Sequence, residues 1–147
     1  MSTFIKTNVS YSEYFIHSWT YSLLKELSKK EDTNIKIRVP KIISYDKKSK
    51  VLIMQTIYGD NLSNIYGEDI QTVPIKFIKI IRQFLYILNQ YMVEYIDITG
   101  YNVMLDNNEH LWIIDFEHAK CITDTDIPNP FLHSFINGEL SWNPEFK

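Results

Sequence analysis

The sequence predicts one α+β domain in two layers, a small mixed sheet with one helix and a mainly helical part that carries a second hairpin. Three observations favour this fold class. The chain has 147 residues, 45% of them hydrophobic, which is enough for one buried core but not for two independent domains. Its apolar residues change along the chain between a spacing typical of strands and one typical of helices. Polar turns separate two pairs of apolar segments, which predicts two antiparallel hairpins.

The first fifty residues predict a strand, a helix and the start of a hairpin. Thr3–Lys6 is β-like, and Ser10 with Glu13 has the S-x-x-E form of a capping box, so a helix should follow and end near Ser28. Its predicted buried face repeats about every four residues and comprises Phe15, Trp19, Leu23, Leu24 and Leu27. A polar linker is expected over residues 29–34.

Two β-branched segments follow, 35–45 and 51–57, and the polar turn between them predicts an antiparallel hairpin. Pro40 interrupts the first segment and belongs at a strand start or edge. The predicted sheet therefore consists of Thr3–Lys6, Ile42–Tyr45 and Val51–Ile57.

Residues 58–61 break the second strand, and Leu62–Tyr66 is expected to form one helical turn. Thr72 can cap a long helix with Pro74 in its first turn, where a missing amide hydrogen costs nothing. The apolar stripe of that helix is spaced three and four residues apart and comprises Ile78, Ile81, Leu85, Leu88 and Met92.

Beyond this stripe the spacing becomes extended again over 93–98. The segments 103–105 and 111–114, joined by a turn at 106–108, predict a second hairpin. The tail is rich in proline and should be irregular apart from one short helix over Phe131–Asn137.

The cysteine count and the absence of a long apolar run indicate in which cellular compartment the protein is expected. Cys121 has no second cysteine to pair with, which excludes a disulfide-stapled fold and Cys/His zinc sites. No stretch approaches the roughly 18 apolar residues of a membrane span, and the first residues lack the basic and then apolar order of a signal peptide. We therefore expect a protein of the cytoplasm without a membrane partner.

Charge is unevenly divided along the chain. Residues 1–50 contain ten Lys or Arg and five Asp or Glu, which gives a net charge of +5. Residues 51–147 contain five Lys or Arg and thirteen Asp or Glu, which gives a net charge of −8. A general nucleic-acid binder is normally basic overall, so no nucleic-acid partner is predicted. The division suits a cleft with one wall for phosphates and one for metal ions, and equally suits a solvated lysine-rich surface. Ala119 is the only alanine, a bias typical of AT-rich genomes such as those of large DNA viruses or protists.

Three polar residues lie among apolar ones at the ends of predicted elements: Asp97, Asn102 and Asp115. Each alone would usually be a cap or turn residue. The second hairpin, however, brings Asn102 and Asp115 side by side, with Asp97 on the loop that leads in. Two carboxylates and an amide oxygen form a site suited to Mg²⁺, which prefers carboxylates, waters and substrate phosphates.

Several segments resemble protein kinases, in the same order along the chain. Residues 95–102 are similar to the H-R-D-L-x-x-x-N catalytic loop, and residues 113–117 look like the segment around the metal-binding D-F-G. Residues 51–62 resemble the strand and hinge that hold adenine, and Thr3–Lys6 stands where kinases place V-A-I-K.

The resemblance implies ATP and Mg²⁺ as cofactors and gives each site residue a role. Asp97 would be the catalytic base that accepts the proton of the substrate hydroxyl, and Asn102 and Asp115 would be the Mg²⁺ ligands. Lys6 would contact phosphate, although a lysine so near a terminus is as often structural. The remaining nucleotide-binding positions would be Met54, Gln55 and Ile57.

The chain also departs from the protein-kinase pattern. Tyr95 replaces the usual histidine and is expected to brace the loop by packing and by a hydroxyl contact. Ile96 replaces the arginine that reads a phosphorylated activation loop, and Thr99 stands where protein kinases carry lysine. Glu117 makes the segment D-F-E, which is similar to choline kinases and aminoglycoside phosphotransferases. The ion-pair glutamate of the first helix is missing from its expected position, which falls at Thr20.

The sequence therefore predicts a miniature kinase-like domain over residues 1–147, with an N-lobe-like part over 1–57 and a C-lobe-like part over 58–147. No glycine-rich loop and little of a C-terminal lobe are expected. The favoured function is Mg²⁺- and ATP-dependent transfer of phosphate to a hydroxyl of a protein or a small molecule. A catalytically inert mimic that binds and regulates a full-length kinase is the alternative, and a structural protein that retains the fold is a third. The apolar tail residues suit either coverage of the chain's own core or contact with a partner: Phe131, Leu132, Phe135, Trp142 and Phe146.

Overall fold

The computed structural model describes residues 2–30 and 35–146. Most of the linker predicted over residues 29–34 lies outside these ranges. The described elements are, in chain order, β1 Thr3–Lys6, α1 Tyr11–Leu27, β2 Ile37–Arg38, β3 Ile42–Asp46, β4 Val51–Gln55, β5 Gly59–Asn61, α2 Leu62–Tyr66, α3 Ile75–Gln90, β6 Val93–Tyr95, β7 Val103–Asp106, β8 Leu111–Ile113, β9 Ala119–Cys121 and α4 Pro130–Ile136. Short 3₁₀ turns form at Ile70–Thr72 and Pro144–Phe146.

The strands form three small sheets. The first is antiparallel with the order β1-β4-β3, as predicted for the N-terminal part. The second has the order β2-β8-β7-β5 and contains the predicted second hairpin, in which Val103 pairs with Ile113. The third joins β6 to β9, a strand that the sequence did not indicate. The α+β fold class is confirmed.

The segment 35–45 does not form one strand of a hairpin. Pro40 lies between β2 and β3, and β2 pairs in parallel with β8 in the second sheet while β3 pairs with β4 in the first. Proline has no amide hydrogen for a ladder, so the chain leaves one sheet there and enters the other.

Helix α1 has the predicted cap but a different buried face. The Ser10 hydroxyl accepts a hydrogen bond from the backbone N–H of Glu13. Phe15, predicted to be buried, is 48% exposed, while Trp19 and Leu23 are half-buried. The buried face comprises Glu13, Ile16, His17, Thr20, Leu24 and Leu27. Three of these six are polar, so a pattern of apolar residues alone points to the wrong side of the helix.

Helix α3 provides the centre of the core. Phe77, Ile78, Ile81, Phe84, Leu85 and Leu88 are buried, which confirms most of the predicted stripe. The start and end differ from the prediction. Thr72 belongs to the preceding 3₁₀ turn and Pro74 is the N-cap, so the helix has no side-chain cap. Met92 lies beyond the helix with a φ of 64°, in the turn that leads into β6.

The tail packs on the chain's own core. Leu132, Phe135 and Trp142 are buried, and Phe131 packs against the same cluster. Arg82 of α3 donates hydrogen bonds to the carbonyls of Phe135 and Gly138 at 3.0 and 2.9 Å, which satisfies carbonyls at the end of α4. Among the described residues, no helix has both the length and the apolar character needed to cross a membrane.

A buried histidine should make the stability of this fold depend on pH. His17 is 1% exposed and its Nε2–H donates to the Pro40 carbonyl at 2.8 Å. Burial lowers its pKa from 6.5 to about 4. The unfolded chain therefore takes up the proton first as the pH falls below 6.5. We expect the free energy of unfolding to lose about 2 kcal/mol from this residue between about pH 7 and pH 5.

The measurement is urea unfolding of the wild type and of His17→Gln at both pH values. His17→Gln should lose this part of the pH dependence, whereas His133→Gln, on the exposed side of α4, should keep it. Equal pH slopes for the wild type and His17→Gln would contradict the prediction.

Candidate functional site

A cavity of about 330 Å³ lies between the first sheet and the β7–β8 hairpin. Six of the seven residues that the sequence analysis selected line it: Lys6, Met54, Gln55, Ile57, Asn102 and Asp115. The rest of the lining is mainly apolar and comprises Phe4, Pro40, Thr56, Met104 and Ile114. Asp97, the seventh selected residue, is not among the lining residues.

Lys6 joins three parts of the fold at the polar end of this cavity. Its Nζ donates to Glu13 Oε2 at 2.5 Å and to Asp115 Oδ1 at 3.0 Å. Lys6 ends β1, Glu13 lies in the first turn of α1, and Asp115 follows β8. The three charged groups thus hold the strand, the helix and the hairpin together.

The ion pair corrects the prediction that the first helix lacks a glutamate for Lys6. Thr20 is fully buried, and its hydroxyl has no hydrogen-bond partner among the described residues. Glu13 fills the role instead, because α1 begins only five residues after Lys6 and its first turn folds back beside the end of β1. The carboxylate of Glu13 therefore serves Lys6, and only the Ser10 half of the predicted capping box forms.

Burial and neighbouring charges have opposite effects on the pKa values of Lys6 and Glu13. Burial alone would lower the pKa of Lys6, but the hydrogen bonds and charges of Glu13 and Asp115 outweigh it, and the pKa is raised. Burial raises the pKa of Glu13, an effect that Lys6 partly offsets. Lys6 is therefore protonated at neutral pH and places a positive charge at the cavity.

Asp97 lies at the centre of a tight turn directly after β6. The Ile98 N–H donates to the Ile96 carbonyl at 2.9 Å, which closes a three-residue γ-turn around Asp97. The side-chain amide of Asn102 donates to the Asp97 backbone carbonyl at 2.9 Å. The predicted trio is thus linked through backbone: Asn102 holds the turn that carries Asp97, and the Asn102 carbonyl accepts from Ile114 next to Asp115.

Burial raises the pKa of the Asp97 carboxyl. The nearby Asn102 amide opposes this effect and the charge of Asp115 adds to it. A carboxylate with a raised pKa accepts a proton more readily than an ordinary aspartate, which suits a general base.

Two oxygen atoms at the cavity make no hydrogen bond with the described residues. Asp115 uses Oδ1 for Lys6 and for the Glu117 N–H, so Oδ2 is unused. Asn102 uses Nδ2 for Asp97, so its Oδ1 is unused. A carboxylate and an amide oxygen on one cavity wall are ligands that Mg²⁺ accepts, with phosphate oxygens and waters completing its shell. Residues 2–30 and 35–146 contain no cluster of three or more His, Cys, Asp or Glu side chains that could hold a metal alone.

A stack of aromatic rings connects α1 with the segments that carry Asp97 and Asp115. His17 stacks on Phe116 at a centroid distance of 4.8 Å, and Tyr95 meets Phe116 edge-on at 5.4 Å. Phe84 of α3 meets the other side of Tyr95 at 6.3 Å. Tyr95 therefore braces the loop by packing, as predicted. The predicted hydroxyl contact is wrong, since its buried hydroxyl has no partner among the described residues.

Sequence reasoning missed three polar residues of the site: Glu13, His17 and Asn143. The sequence does indicate a role for Glu13, because an acidic residue in the first helical turn after Lys6 can serve either as a helix cap or as an ion-pair partner. His17 lies on the same face of α1 one turn later and carried no separate signal. Asn143 touches the Asp97 turn from the tail, a contact across more than forty residues that no local pattern shows.

The Lys6 cluster gives a stability prediction. Lys6→Met leaves Glu13, which is 4% exposed, as an unpaired buried charge, and we expect the free energy of unfolding to fall by about 2 kcal/mol. The double variant Lys6→Met/Glu13→Gln should be more stable than Lys6→Met, because it removes that charge. Urea unfolding at neutral pH measures both.

Lys29→Met is the matched control, because Lys29, two residues after the end of α1, forms an exposed ion pair with Glu26. Its expected cost is about 0.5 kcal/mol or less. A Lys6→Met variant no less stable than this control would show that the cluster does not hold the fold together.

No curated protein sequence matches this chain. The kinase PK-1 of the Cydia pomonella granulovirus has a similar structure, with a TM-score of 0.60 and 13% identity over 86% of this chain and 46% of its own. The Rv3197 protein of Mycobacterium tuberculosis, in complex with erythromycin, has a TM-score of 0.49 and 16% identity over 76% of this chain and 27% of its own. This chain thus spans less than half the length of either. The family model of the RIO domain matches residues 4–129, and the chain belongs to this kinase-like family.

Proposed function

We propose that this protein is a Mg²⁺- and ATP-dependent phosphotransferase that transfers phosphate to a hydroxyl of a protein or small molecule. The observation that carries the proposal is one cavity lined by Lys6, Asn102 and Asp115 at its polar end and by the segment after β4 at its apolar end. Phosphoryl transfer needs positioning and charge neutralisation more than covalent chemistry, and this arrangement supplies both.

The apolar part of the cavity suits the adenine ring. Phe4 and Met54 from the first sheet and Met104 and Ile114 from the hairpin line it. Neither backbone group of Ile57 bonds to another of the residues that the structure describes, so both can serve the polar edge of a base. With adenine there, the phosphates lie toward Lys6, whose positive charge the pair of carboxylates keeps in place.

Asn102 and Asp115 are the residues that would hold Mg²⁺, through the oxygens that their own hydrogen bonds leave unused. The chemistry that Mg²⁺ would supply there is neutralisation of charge on the phosphates. Asp97 accepts the proton of the acceptor hydroxyl. Its half-buried carboxyl with a raised pKa is suited to that step, and it does not line the nucleotide cavity.

The inert-mimic alternative receives less support. Its main sequence argument was apolar tail surface that a partner kinase would cover, yet Leu132, Phe135 and Trp142 are buried in the chain's own core. Lys6 also has the ion-pair glutamate that the sequence analysis did not find at Thr20, because Glu13 supplies it. Nucleotide binding and turnover separate the two functions.

Nucleotide binding is the first test. We expect calorimetry to detect ATP binding that is tighter with Mg²⁺ than without it. Asp115→Asn should abolish the Mg²⁺-dependent part and leave the fold intact, because the asparagine oxygen can still accept the hydrogen bond from Lys6 and little volume changes. Asp124→Asn, in the exposed segment after β9, is the matched control and should bind as the wild type does. An Asp115→Asn variant with unaltered Mg²⁺ dependence would refute the metal role.

Turnover is the second test. Asp97→Asn should eliminate Mg²⁺-dependent ATP turnover or autophosphorylation and still bind nucleotide, because Asp97 acts on the acceptor. Equal rates in the wild type and Asp97→Asn, with nucleotide bound, would favour the inert mimic.

The pH dependence of turnover gives a third test. Asp97 works as a base only when deprotonated, so the rate should fall as the pH drops through its pKa. Burial raises that pKa, and the midpoint of the acidic limb should lie above the ordinary value of 3.8. Rates measured from neutral pH downward, with folding checked at each pH, give the midpoint. A midpoint at or below the ordinary value would contradict the proposed role of Asp97.

A further inference from the structure

We infer that Asn143, in the C-terminal segment, is a positioning residue that fixes the backbone on both sides of Asp97. Its side-chain Nδ2 donates to the Ile96 carbonyl at 2.8 Å, and its backbone N–H donates to the Ile98 carbonyl at 3.0 Å. One residue thus bonds to the carbonyl before Asp97 and to the carbonyl after it. The catalytic consequence rests on the proposed function, whereas the hold on the turn does not.

The contact completes the hydrogen bonding of the turn. The Ile96 carbonyl accepts from both Asn143 and the Ile98 N–H, and the Asp97 carbonyl accepts from Asn102. Three successive carbonyls are therefore bonded, two of them to Asn143. Asn102 reaches the turn from the β7–β8 hairpin and Asn143 reaches it from the tail, so the backbone of Asp97 is held between two separate elements.

Asn143 is itself fixed in place. It is 2% exposed, its Oδ1 accepts from the Glu145 N–H at 3.1 Å, and its backbone carbonyl accepts from the Phe146 N–H at 3.1 Å. Trp142 before it is buried in the main core, and the Phe146 ring packs on His118 at a centroid distance of 4.8 Å. Every polar atom of Asn143 is bonded, so its amide has one orientation and the turn has a rigid support.

The two side-chain hydrogen bonds at position 143 need one donor and one acceptor, which the amide of asparagine provides. The amide donates to Ile96 and accepts from Glu145 at the same time. Aspartate has the same shape but replaces the donor with a carboxylate oxygen, which would face the Ile96 carbonyl and repel it. The position lies beyond residues 4–129, which the family model matches.

The test compares Asn143→Asp with the wild type by amide hydrogen exchange resolved by NMR. We expect the amides of Ile98 and residue 143 to exchange at least about tenfold faster in the variant, while those of α3 change less than about twofold. Asn137→Ala is the matched control: this exposed asparagine of the same tail donates to the His133 carbonyl at 2.8 Å, away from the turn. It should leave exchange at Ile98 unchanged.

Unchanged exchange at Ile98 in a folded Asn143→Asp would overturn the inference, and so would a uniform rise across all amides. If Asn143→Asp does not fold, Asn143→Ser is measured instead, because its shorter hydroxyl loses the bond to Ile96 without adding a charge. The same criteria then apply.

Kinetics separate this inference from the proposed function. If the wild type turns over, Asn143→Asp should lower kcat at least about tenfold and change nucleotide affinity less than about twofold, since Asn143 does not line the cavity. A variant that weakens nucleotide binding as much as kcat would overturn the positioning role. If the wild type shows no turnover, the proposed function fails, and the exchange data alone decide whether Asn143 holds the turn.

Discussion

The bond of the Lys6 ammonium to two carboxylates is the interaction on which the site depends. Glu13 belongs to α1, Asp115 follows β8, and Lys6 ends β1, so removing this cation would leave three elements of the cavity without a common point. Ion pairs that are partly out of water gain little net free energy, because desolvation offsets most of the attraction. The value of this cluster lies in where it places the charges, at the end of a cavity that is otherwise apolar.

A stack of aromatic rings connects the Lys6 cluster with the loop that carries Asp97. His17 is one turn after Glu13 on α1, and it packs on Phe116, the neighbour of Asp115. Phe116 in turn contacts Tyr95, two residues before Asp97. A shift of α1 would disturb the ion pair and the stack together, because one face of one helix supplies both Glu13 and His17. The buried neutral imidazole fits this role, since it packs as a flat ring and still satisfies the Pro40 carbonyl.

The C-terminal tail supports the turn that carries Asp97. Here α4 and the tail cover α3, and the same tail ends at the turn that carries Asp97. The side chains of Asn102 and Asn143 hold the turn through the backbone carbonyls of Asp97 and Ile96. In the proposed phosphotransferase, such preorganisation would contribute to catalysis without adding a group that touches the substrate.

The sequence by itself determined many of the elements and six of the eleven residues that line the cavity. Periodicity and turn residues are local properties, and they were sufficient for β1, for α3 and for the β7–β8 hairpin. The order of kinase-like segments then indicated Lys6, Asn102 and Asp115, because a fold that keeps those segments in order brings them together. The structure places all three around one cavity.

Only the tertiary structure decided which distant groups meet. The sequence predicts that Glu13 caps α1, but in the structure Glu13 is the partner of Lys6. Phe15 is predicted to be buried but is exposed, because polar residues on the other face of α1 have buried partners. Pro40 divides one predicted strand between two sheets, a choice that depends on β8 more than seventy residues later. Asn143 shows the limit most clearly, because a lone asparagine in an irregular tail has no periodicity, and its role arises only when folding brings it against the turn at Asp97. Local spacing determines the shape of an element, whereas the pairing of buried polar groups depends on contacts that form only when the whole chain packs.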